Sequence, residues 1–238
     1  MGKQPTTASP VKVAGSWIRE HEIPRKFLHG SIALVTIWLY VHGVQLNQVT
    51  PVLTQMLVSI GTIEFCRLTW PAVNDLYIKV VGPLMRESEK QGQINGVIWY
   101  LVGLIFVFTF FTKDIAVLSV LLLSWADLSA STVGRAFGSK TPKLVGSKSL
   151  AGSLAAFACG VAVTWLNYAV LMPRYSQYND PKDILWTPES STLSLGTLSV
   201  LVGFVAAIAE LFPIIDDNLS IPIVSACTIS PLIKAFSR

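Results

Sequence analysis

The stretch IAVLSVLLLSWADLSASTV, residues 115–133, decides the fold class of this chain. Its first twelve residues carry no charge, as expected of a helix that crosses a membrane. Asp127 then lies about 18 Å along the helix, past the middle of a bilayer. An ionised carboxylate at that depth has to face a polar cavity, a cation or a partner side chain. We therefore interpret Asp127 as a functional residue.

The rest of the chain has the same apolar character. Of its 238 residues, 52% are hydrophobic and only 13% are charged, whereas soluble domains average about 25% charged residues. A membrane-spanning helix needs roughly 20 mostly apolar residues. Runs of this kind cover residues 27–46, 50–66, 94–112, 115–133, 150–172, 193–213 and 219–236. The sequence predicts an all-α, polytopic helical membrane protein with about seven transmembrane helices.

Two further segments complete the predicted organisation. Residues 1–24 are mostly polar and predict a mobile N-terminal tail, so that residues 25–238 form one membrane-embedded domain. Within this domain, residues 72–85 place apolar side chains at helical spacing. This pattern predicts an amphipathic segment that lies on the membrane surface.

The basic residues predict an orientation. In a seven-helix arrangement, 13 of the 18 Lys and Arg residues fall on one side of the membrane and five on the other. Because positive charge marks the cytosolic side, the N-terminus is predicted to be cytosolic. The unusual polar clusters open to that same face: Arg25, Lys26 and His29; Glu64 and Arg67; Arg86; Asp127 to Lys148; and Glu210, Asp216, Asp217 and Asn218. Their convergence indicates a site.

Small residues follow Asp127 along one face of the same helix. Ser131, Gly134 and Gly138 lie at helical spacing from it, and the glycines alone would be explained by close helix packing. Residues 134–148, GRAFGSKTPKLVGSK, contain three glycines in all and four basic side chains. Such a loop can bind phosphates, although its spacing is not that of a Walker motif. Anionic lipid headgroups are an equally good ligand for it.

The acidic residues near the last predicted helix suit a divalent cation. Glu210 ends one apolar run, and Asp216, Asp217 and Asn218 form the following turn. Oxygen ligands are those that Mg²⁺ prefers. A solvated turn explains Asp216 or Asp217 alone, but it leaves Glu210 unexplained.

The remaining polar clusters have simpler alternatives. Arg25 and Lys26 also fit a positive anchor at the membrane edge, and His29 also fits a hydrogen-bonded structural residue. Glu64 and Arg67, three residues apart, also fit an ion pair within one helix.

At this point the motifs resemble those of a known family. Asp127, Ala130, Gly134 and Gly138 form the pattern D-x-x-A-x-x-x-G-x-x-x-G, which a Lys-Ser pair and a glycine follow. This pattern is similar to the CTP-binding motif of the dolichol kinase, phytol kinase and CTP-dependent diacylglycerol kinase group. The resemblance covers residues 25 to about 225 and includes Arg25-Lys26-x-x-His29 and the late Glu210, Asp217 and Asn218.

One branch of that group fits better than the others. Dolichol kinases carry Lys-Lys-Thr-x-Glu-Gly at the end of the motif, whereas this chain has Ser147 and Ala151 at two of those positions. These departures and the LMRESE stretch at 84–89 are similar to the fungal diacylglycerol kinases. The resemblance implies CTP as phosphoryl donor, diacylglycerol as acceptor and phosphatidate as product. It also implies a location in the endoplasmic reticulum and the nuclear envelope.

The resemblance and the residue chemistry together assign roles to the polar clusters. Asp127 and Lys148 are expected to be catalytic, with Asp127 orienting or deprotonating the lipid hydroxyl. The nucleotide is expected to contact Arg25, Lys26, His29, Gly134, Arg135, Gly138, Ser149 and Gly152. Mg²⁺, or another divalent cation such as Ca²⁺, is expected at Asp127, Glu210, Asp216 and Asp217. Glu64, Arg67, Arg86 and Asn218 are further members of the predicted site.

Several other functions remain open from the residues. A dolichol or phytol kinase would use the same cluster for another lipid alcohol. A cytidylyltransferase would form a CDP-lipid instead of a lipid monophosphate. A transporter would place Asp127, Glu64 and Glu210 inside its bundle, and a lipid-binding scaffold would have little need for buried carboxylates. No nucleic-acid partner is predicted, and the oligomeric state is left open.

Overall fold

A computed structural model describes residues 23–238, so almost all of the predicted tail at 1–24 lies outside the described residues. Within the described range, eight helices contain 11 residues or more. They are α1 (Ile23–Val41), α2 (Leu46–Thr69), α3 (Pro71–Val81), α4 (Gly96–Phe110), α5 (Lys113–Lys140), α6 (Leu150–Arg174), α7 (Leu195–Leu211) and α8 (Asp217–Ala235). Between α5 and α6, strands β1 (Lys143–Val145) and β2 (Lys148–Ser149) form an antiparallel hairpin.

Each of the seven predicted apolar runs overlaps one long helix, so the predicted helical class is confirmed. Among the described residues, α2, α5, α6 and α8 are long and apolar enough to cross a membrane. Helices α4 and α7 are apolar but have only 15 and 17 residues, which is short of the roughly 20 that a bilayer needs. Helix α1 begins with a basic first turn. The predicted count of seven spans is therefore not confirmed.

The predicted amphipathic segment at 72–85 corresponds to α3, which is followed by a short 3₁₀ turn at Gly82–Leu84. Pro71 occupies its first turn, where a missing N–H costs no helical hydrogen bond. None of the residues of α3 is buried, and Leu76 and Val80 are 63% and 72% exposed.

Helix α5 is the centre of the bundle. Residues 115–123 are exposed by no more than 3%, because α1, α4, α6 and α8 all pack against this helix. A helix enclosed on every side has no polar face, which explains why this stretch is apolar without periodicity. The neighbours of α5 fix its position, and with it the position of Asp127.

A π-helical turn at Leu122–Ala126 immediately precedes Asp127. Such turns interrupt the regular i→i−4 pairing of an α-helix and are frequent at functional sites. In this turn the carbonyl of Leu123 accepts a hydrogen bond from His29 Nε2 at 2.8 Å. The indole N–H of Trp125 donates to the carbonyl of Gly30 at 3.2 Å. The turn therefore ties α5 to α1 through residues that lie two and four positions before Asp127.

Glycines allow the helices on the other side of α5 to approach closely. A Cβ atom added to Gly152 of α6 would lie 3.0 Å from the carbonyl oxygen of Ala130 in α5. A Cβ atom added to Gly203 of α7 would lie 2.9 Å from the carbonyl oxygen of Phe157 in α6. Small residues at helix contacts are characteristic of membrane bundles, where close packing supplies much of the stability.

The end of the bundle opposite the predicted site is held by a buried acid that the sequence analysis did not single out. Asp114 is fully buried and accepts hydrogen bonds from the Tyr168 hydroxyl at 3.0 Å and from the Leu185 amide at 2.8 Å. The amide of Trp186 donates to it as well, at 3.2 Å. Asp114 thereby fixes the long connection between α6 and α7 onto the core.

Candidate functional site

A polar cavity of about 690 Å³ lies at the end of the bundle where α1, α6 and α8 begin and α5 and α7 end. It is lined by Arg25, Lys26, His29, Arg86, Asp127, Leu128, Ala130, Ser131, Gly134, Arg135, Ser139, Lys143, Ser147, Lys148, Ser149, Gly152, Glu210 and Asp217. These residues come from five helices, the hairpin and the segment that precedes α4. Most of the polar clusters that the sequence predicted to converge therefore meet at this cavity.

Most of the predicted site residues line this cavity, and a few do not. Those away from its wall are Glu64, Arg67, Gly138, Asp216 and Asn218. The cavity also includes residues to which the sequence analysis gave no individual role, notably Ser139, Lys143 and Ser147. The basic character of the 134–148 loop was the available signal for Lys143. Nothing in the sequence distinguishes Ser139 from other loop serines, and Ser147 stood out only as a departure from the dolichol kinase motif.

Lys148 joins the end of α7 to the start of α8. Its Nζ lies 3.2 Å from Glu210 Oε1 and 3.1 Å from Asp217 Oδ1, and it also donates to the backbone carbonyl of Glu210. The lysine side chain is 22% exposed, so its ammonium faces the cavity while it bridges the two acids. One cation thus compensates two carboxylates that would otherwise repel each other.

The hairpin places Lys148 at this position. Gly146 adopts a φ of 53° in the turn between the strands, a left-handed conformation that costs glycine little. The turn reverses the chain, and β2 pairs back onto β1 with Lys143 opposite Ser149. Lys143 Nζ donates to the carbonyl of Ser147 at 3.0 Å and closes the loop. The sequence indicated a basic, glycine-containing loop here, and the hairpin was not predicted.

Asp127 lies beside His29 at the inner end of the cavity. Its Oδ2 is 3.6 Å from His29 Nε2. Because Nε2 points at the carbonyl of Leu123, which can only accept, this nitrogen must carry a proton.

The acidic residues of the cavity fit Mg²⁺ when a nucleotide supplies the remaining ligands. Asp127, Glu210 and Asp217 line the cavity, and Glu210 Oε2 is buried without a hydrogen-bond partner among the described residues. Within residues 23–238, no group of three His, Cys, Asp or Glu side chains is already assembled around one point. Mg²⁺ commonly takes one or two protein carboxylates together with substrate phosphates and water, and this donor set matches that pattern.

Asp216 has a different set of contacts from its acidic neighbours. Its Oδ1 accepts the Asn218 amide at 2.9 Å and caps α8, and its Oδ2 accepts from Arg86 Nη1 at 2.5 Å. Burial lowers the pKa of the Arg86 guanidinium, but Asp216 outweighs this effect and the pKa is raised. The Asn218 side chain donates to the carbonyl of Gly96 at 3.1 Å. Both Asp216 and Asn218 thus hold the start of α8, beside Asp217.

Glu64 and Arg67 form the ion pair that their spacing suggests, and it is buried. Arg67 Nη2 and Nε donate to the two oxygens of Glu64 at 2.6 and 2.8 Å. Arg67 also donates to the carbonyl of Gln93 at 2.7 Å, and Glu64 accepts the amide of Asn95 at 2.8 Å. The pair therefore anchors the segment that carries Arg86 to the end of α2.

The glycines of the motif contribute space, and the amides of Gly138 and Gly152 already donate hydrogen bonds within the protein. The Gly138 amide donates to the carbonyl of Gly134, and the Gly152 amide donates to Ser149 Oγ at 3.3 Å. A Cβ atom at Gly138 would lie 2.8 Å from Ser149 Oγ, and one at Gly134 would lie 3.5 Å from it. The motif glycines keep room for Ser149, which caps α6.

The chain is similar to curated fungal enzymes over most of its length. It is 45% identical to CTP-dependent diacylglycerol kinase 1 of Saccharomyces cerevisiae, over 94% of this chain and 78% of the yeast protein. It is 44% identical to the protein of the same name from Schizosaccharomyces pombe, over 89% of this chain and 93% of that protein. A probable chloroplastic phytol kinase of Triticum aestivum is 30% identical over 60% of this chain and 46% of its own length.

No protein-family model and no solved structure matches the chain. The matches to the two fungal relatives include 89% or more of this chain and more than three quarters of each relative's length. The resemblance indicated by the Asp127 motif is thereby confirmed. The chain belongs to the CTP-dependent diacylglycerol kinase family.

Proposed function

We propose that this chain transfers the γ-phosphoryl group of CTP to the hydroxyl of diacylglycerol and forms phosphatidate in the polar cavity. The observation that carries the proposal is the meeting of Lys148 with Asp127, Glu210 and Asp217 in one cavity of a membrane-type helical bundle. The names of the fungal relatives supply the substrates. Phosphoryl transfer requires mainly positioning and charge neutralisation, and this cavity offers both.

The nucleotide phosphates are expected at the basic side of the cavity. Lys148 and Arg135 approach from the hairpin and the end of α5, and Arg25 and Lys26 approach from α1. On binding, Lys148 would exchange part of its contact with Glu210 and Asp217 for phosphate oxygens.

Asp127 is expected to meet the lipid hydroxyl. It lies 13 residues before the end of α5 at Lys140, or about 20 Å along the helix. The cavity thus extends from the hairpin down into the part of the bundle that the bilayer would surround. Diacylglycerol keeps its acyl chains in the bilayer and presents its hydroxyl near the headgroup level. Asp127 would orient this hydroxyl and accept its proton, while His29 holds the carboxylate in place.

Glu210 and Asp217, with Asp127 as a third neighbour, would hold Mg²⁺ together with the nucleotide. The unpartnered Glu210 Oε2 supports this assignment. When bound, the cation would neutralise charge on the phosphates during transfer. Asp216 is left out of the ligand set because Arg86 and the cap of α8 occupy both of its oxygens.

All of the helices α1 to α8 except α3 are proposed to cross the membrane. The cavity is proposed to lie on the cytosolic side of the endoplasmic reticulum and nuclear envelope. The excess of Lys and Arg in the segments at the cavity end supports this orientation. The exposed apolar side chains of α3 at the same end suit the membrane interface. Helices α4 and α7 are short enough to require local thinning of the bilayer or anchoring by flanking residues.

The substrate assignment is tested with the purified protein in mixed micelles. Diacylglycerol, dolichol and phytol are each offered with γ-labelled CTP or ATP, and the lipid products are separated. We expect labelled phosphatidate with CTP as the preferred donor. Labelled dolichyl or phytyl phosphate as the main product would assign the chain to a polyprenol or phytol kinase. A CDP-lipid, detected with cytosine-labelled CTP, would identify a cytidylyltransferase.

The role of Asp127 is tested by Asp127→Asn, which keeps the size of the side chain and removes its charge. Loss of a general base typically lowers turnover by 10²–10⁴-fold, so kcat is expected to fall by about a hundredfold or more. The matched control is Asp75→Asn on α3, because Asp75 is exposed and lies outside the cavity. Near-normal turnover by Asp127→Asn, with both variants equally well folded, would contradict the assignment of Asp127 as the general base.

The pair of Arg86 and Asp216 is expected to act as one unit that positions Asp217. Asp216→Asn should lower kcat/KM for CTP by roughly tenfold through misplacement of the start of α8. Arg86→Met in the Asp216→Asn background should add little, because partners in one network are not additive. The control is Lys90→Met, which breaks the ion pair with the 82%-exposed Glu87 in the same segment. Independent, multiplying effects of the two substitutions would contradict the pairing.

A further inference from the structure

A narrow apolar cleft lies between the helices on the side of α1 and α2. Its walls come from α1, α2, α4 and α5 and from the turn that joins α1 to α2, and its free volume is about 100 Å³. Among the described residues that line it, Thr36, Tyr40 and Lys113 carry a polar group. The Thr36 hydroxyl donates to the carbonyl of Ile32 at 2.9 Å, so the wall near this residue presents hydrocarbon. We call this space the apolar cleft.

The near end of the apolar cleft lies close to Asp127 and its neighbour His29. Ile32, at this end, is three residues after His29 on α1, or about 4.5 Å along the helix. On α4, Leu104 of the cleft wall is four residues after Tyr100, whose ring meets that of His29 edge to face at 5.6 Å. The cleft therefore begins about one helical turn beyond the proposed position of the lipid hydroxyl.

The length of the apolar cleft suits an acyl chain. From Ile32 it follows α1 as far as Leu39, which is ten residues after His29, or about 15 Å along the helix. The hydrocarbon core of a bilayer is about 30 Å thick, so the chains of one leaflet extend over about 15 Å. A chain whose glycerol lies beside Asp127 would thus run along most of the cleft.

Lys113 closes the far end of the apolar cleft. It lines the cleft and is only 3% exposed. Its Nζ donates to the carbonyl of Tyr178 at 2.8 Å and to Gln45 Oε1 at 3.2 Å, and it lies 4.8 Å from the centre of the Tyr40 ring. An apolar chain that extended past this point would displace the partners of a buried ammonium, which is costly. The far end therefore limits the length of chain that the cleft accepts.

The apolar cleft opens sideways between α1 and α2. These two helices are consecutive but make almost no contact with each other, because α1 packs on α5 whereas α2 packs on α4. Val35 lines the cleft and is nevertheless 53% exposed, so it lies at this opening. Since all seven of the helices other than α3 are proposed to cross the membrane, the opening faces lipid. A lipid can then enter the cleft from the bilayer without passing through water.

We propose that the apolar cleft binds one acyl chain of the diacylglycerol whose hydroxyl meets Asp127. The inference rests on the proposed function and adds to it a subsite for the lipid. The narrow cleft holds one chain, and the other chain stays in the bilayer. Contact between the chain and fixed walls holds the glycerol in place, and such positioning contributes to the rate. A chain long enough to reach the far end of the cleft makes the most contacts, so kcat/KM depends on chain length.

Filling the far end of the apolar cleft tests the subsite. Val49, in the first turn of α2, lines the cleft, and Val49→Phe places a larger side chain there. We expect kcat/KM for dipalmitoylglycerol to fall about tenfold, as when a substrate no longer fits an apolar pocket. The value for dioctanoylglycerol should stay near that of the wild type, because an octanoyl chain is half as long and ends before Val49. The matched control is Val52→Phe, at a position that is 58% exposed and outside the cleft.

The ratio of the two kcat/KM values separates this inference from the proposed function. If Val49→Phe keeps the wild-type ratio, or if Val52→Phe changes it equally, the apolar cleft does not hold the acyl chain, although the lipid kinase activity stands. A wild-type protein that phosphorylates neither diacylglycerol would overturn the proposed function, and the inference with it.

A second measurement depends neither on turnover nor on a variant that must fold. The wild-type protein in phosphatidylcholine nanodiscs is irradiated with a diacylglycerol that carries a diazirine near the end of one palmitoyl chain. We expect labelled peptides from residues 39–49, and much weaker labelling there by a phosphatidylcholine with the same modified chain. Equal labelling by both probes would overturn the proposal, because the apolar cleft would then take any lipid, including one whose headgroup lies in the polar groove beside Gln45 and Lys182. Labelling confined to other helices would also overturn it.

Discussion

Charged groups inside a membrane protein have to be compensated where they lie, because neither lipid nor distant solvent can do so. In this chain the constraint is met by Lys148, which contacts Glu210 at the end of α7 and Asp217 at the start of α8. The lysine comes from the hairpin between α5 and α6, so one cation links three elements around the polar cavity: the hairpin, α7 and α8. In the proposed function the same ammonium receives the phosphates of the nucleotide, so one side chain would serve both the packing of the helix ends and the activity.

Around that contact, a second set of polar residues holds the helix ends in position. Arg86 and Asp216 fix the cap of α8, and the buried pair of Glu64 and Arg67 anchors the segment from which Arg86 extends. On the other side, the π-helical turn before Asp127 joins α5 to His29. In the proposed function these contacts would supply the positioning that phosphoryl transfer requires, since that chemistry depends mainly on alignment and charge.

Much of this arrangement could be predicted from local sequence. The apolar runs predicted the helices, and the spacing from Asp127 to Lys148 predicted the cavity wall, because both patterns lie within short stretches. The contacts that depend on distant residues could not be predicted. Arg86 and Asp216 are separated by 130 residues, so the sequence alone made Asp216 look like a ligand equivalent to Asp217. Asp114 was missed for the same reason, since its partners lie 54 to 72 residues away.

The most direct measurement is the equilibrium affinity of the purified protein for CTP when Lys148 is replaced. Lys148→Met is expected to weaken CTP binding by at least roughly tenfold, because charge-assisted contacts to phosphate are lost. Lys79→Met, which removes an exposed lysine on α3 outside the cavity, is expected to bind CTP normally. If Lys148→Met folds like the wild type and binds CTP with unchanged affinity, Lys148 does not hold the nucleotide and the proposed site is wrong.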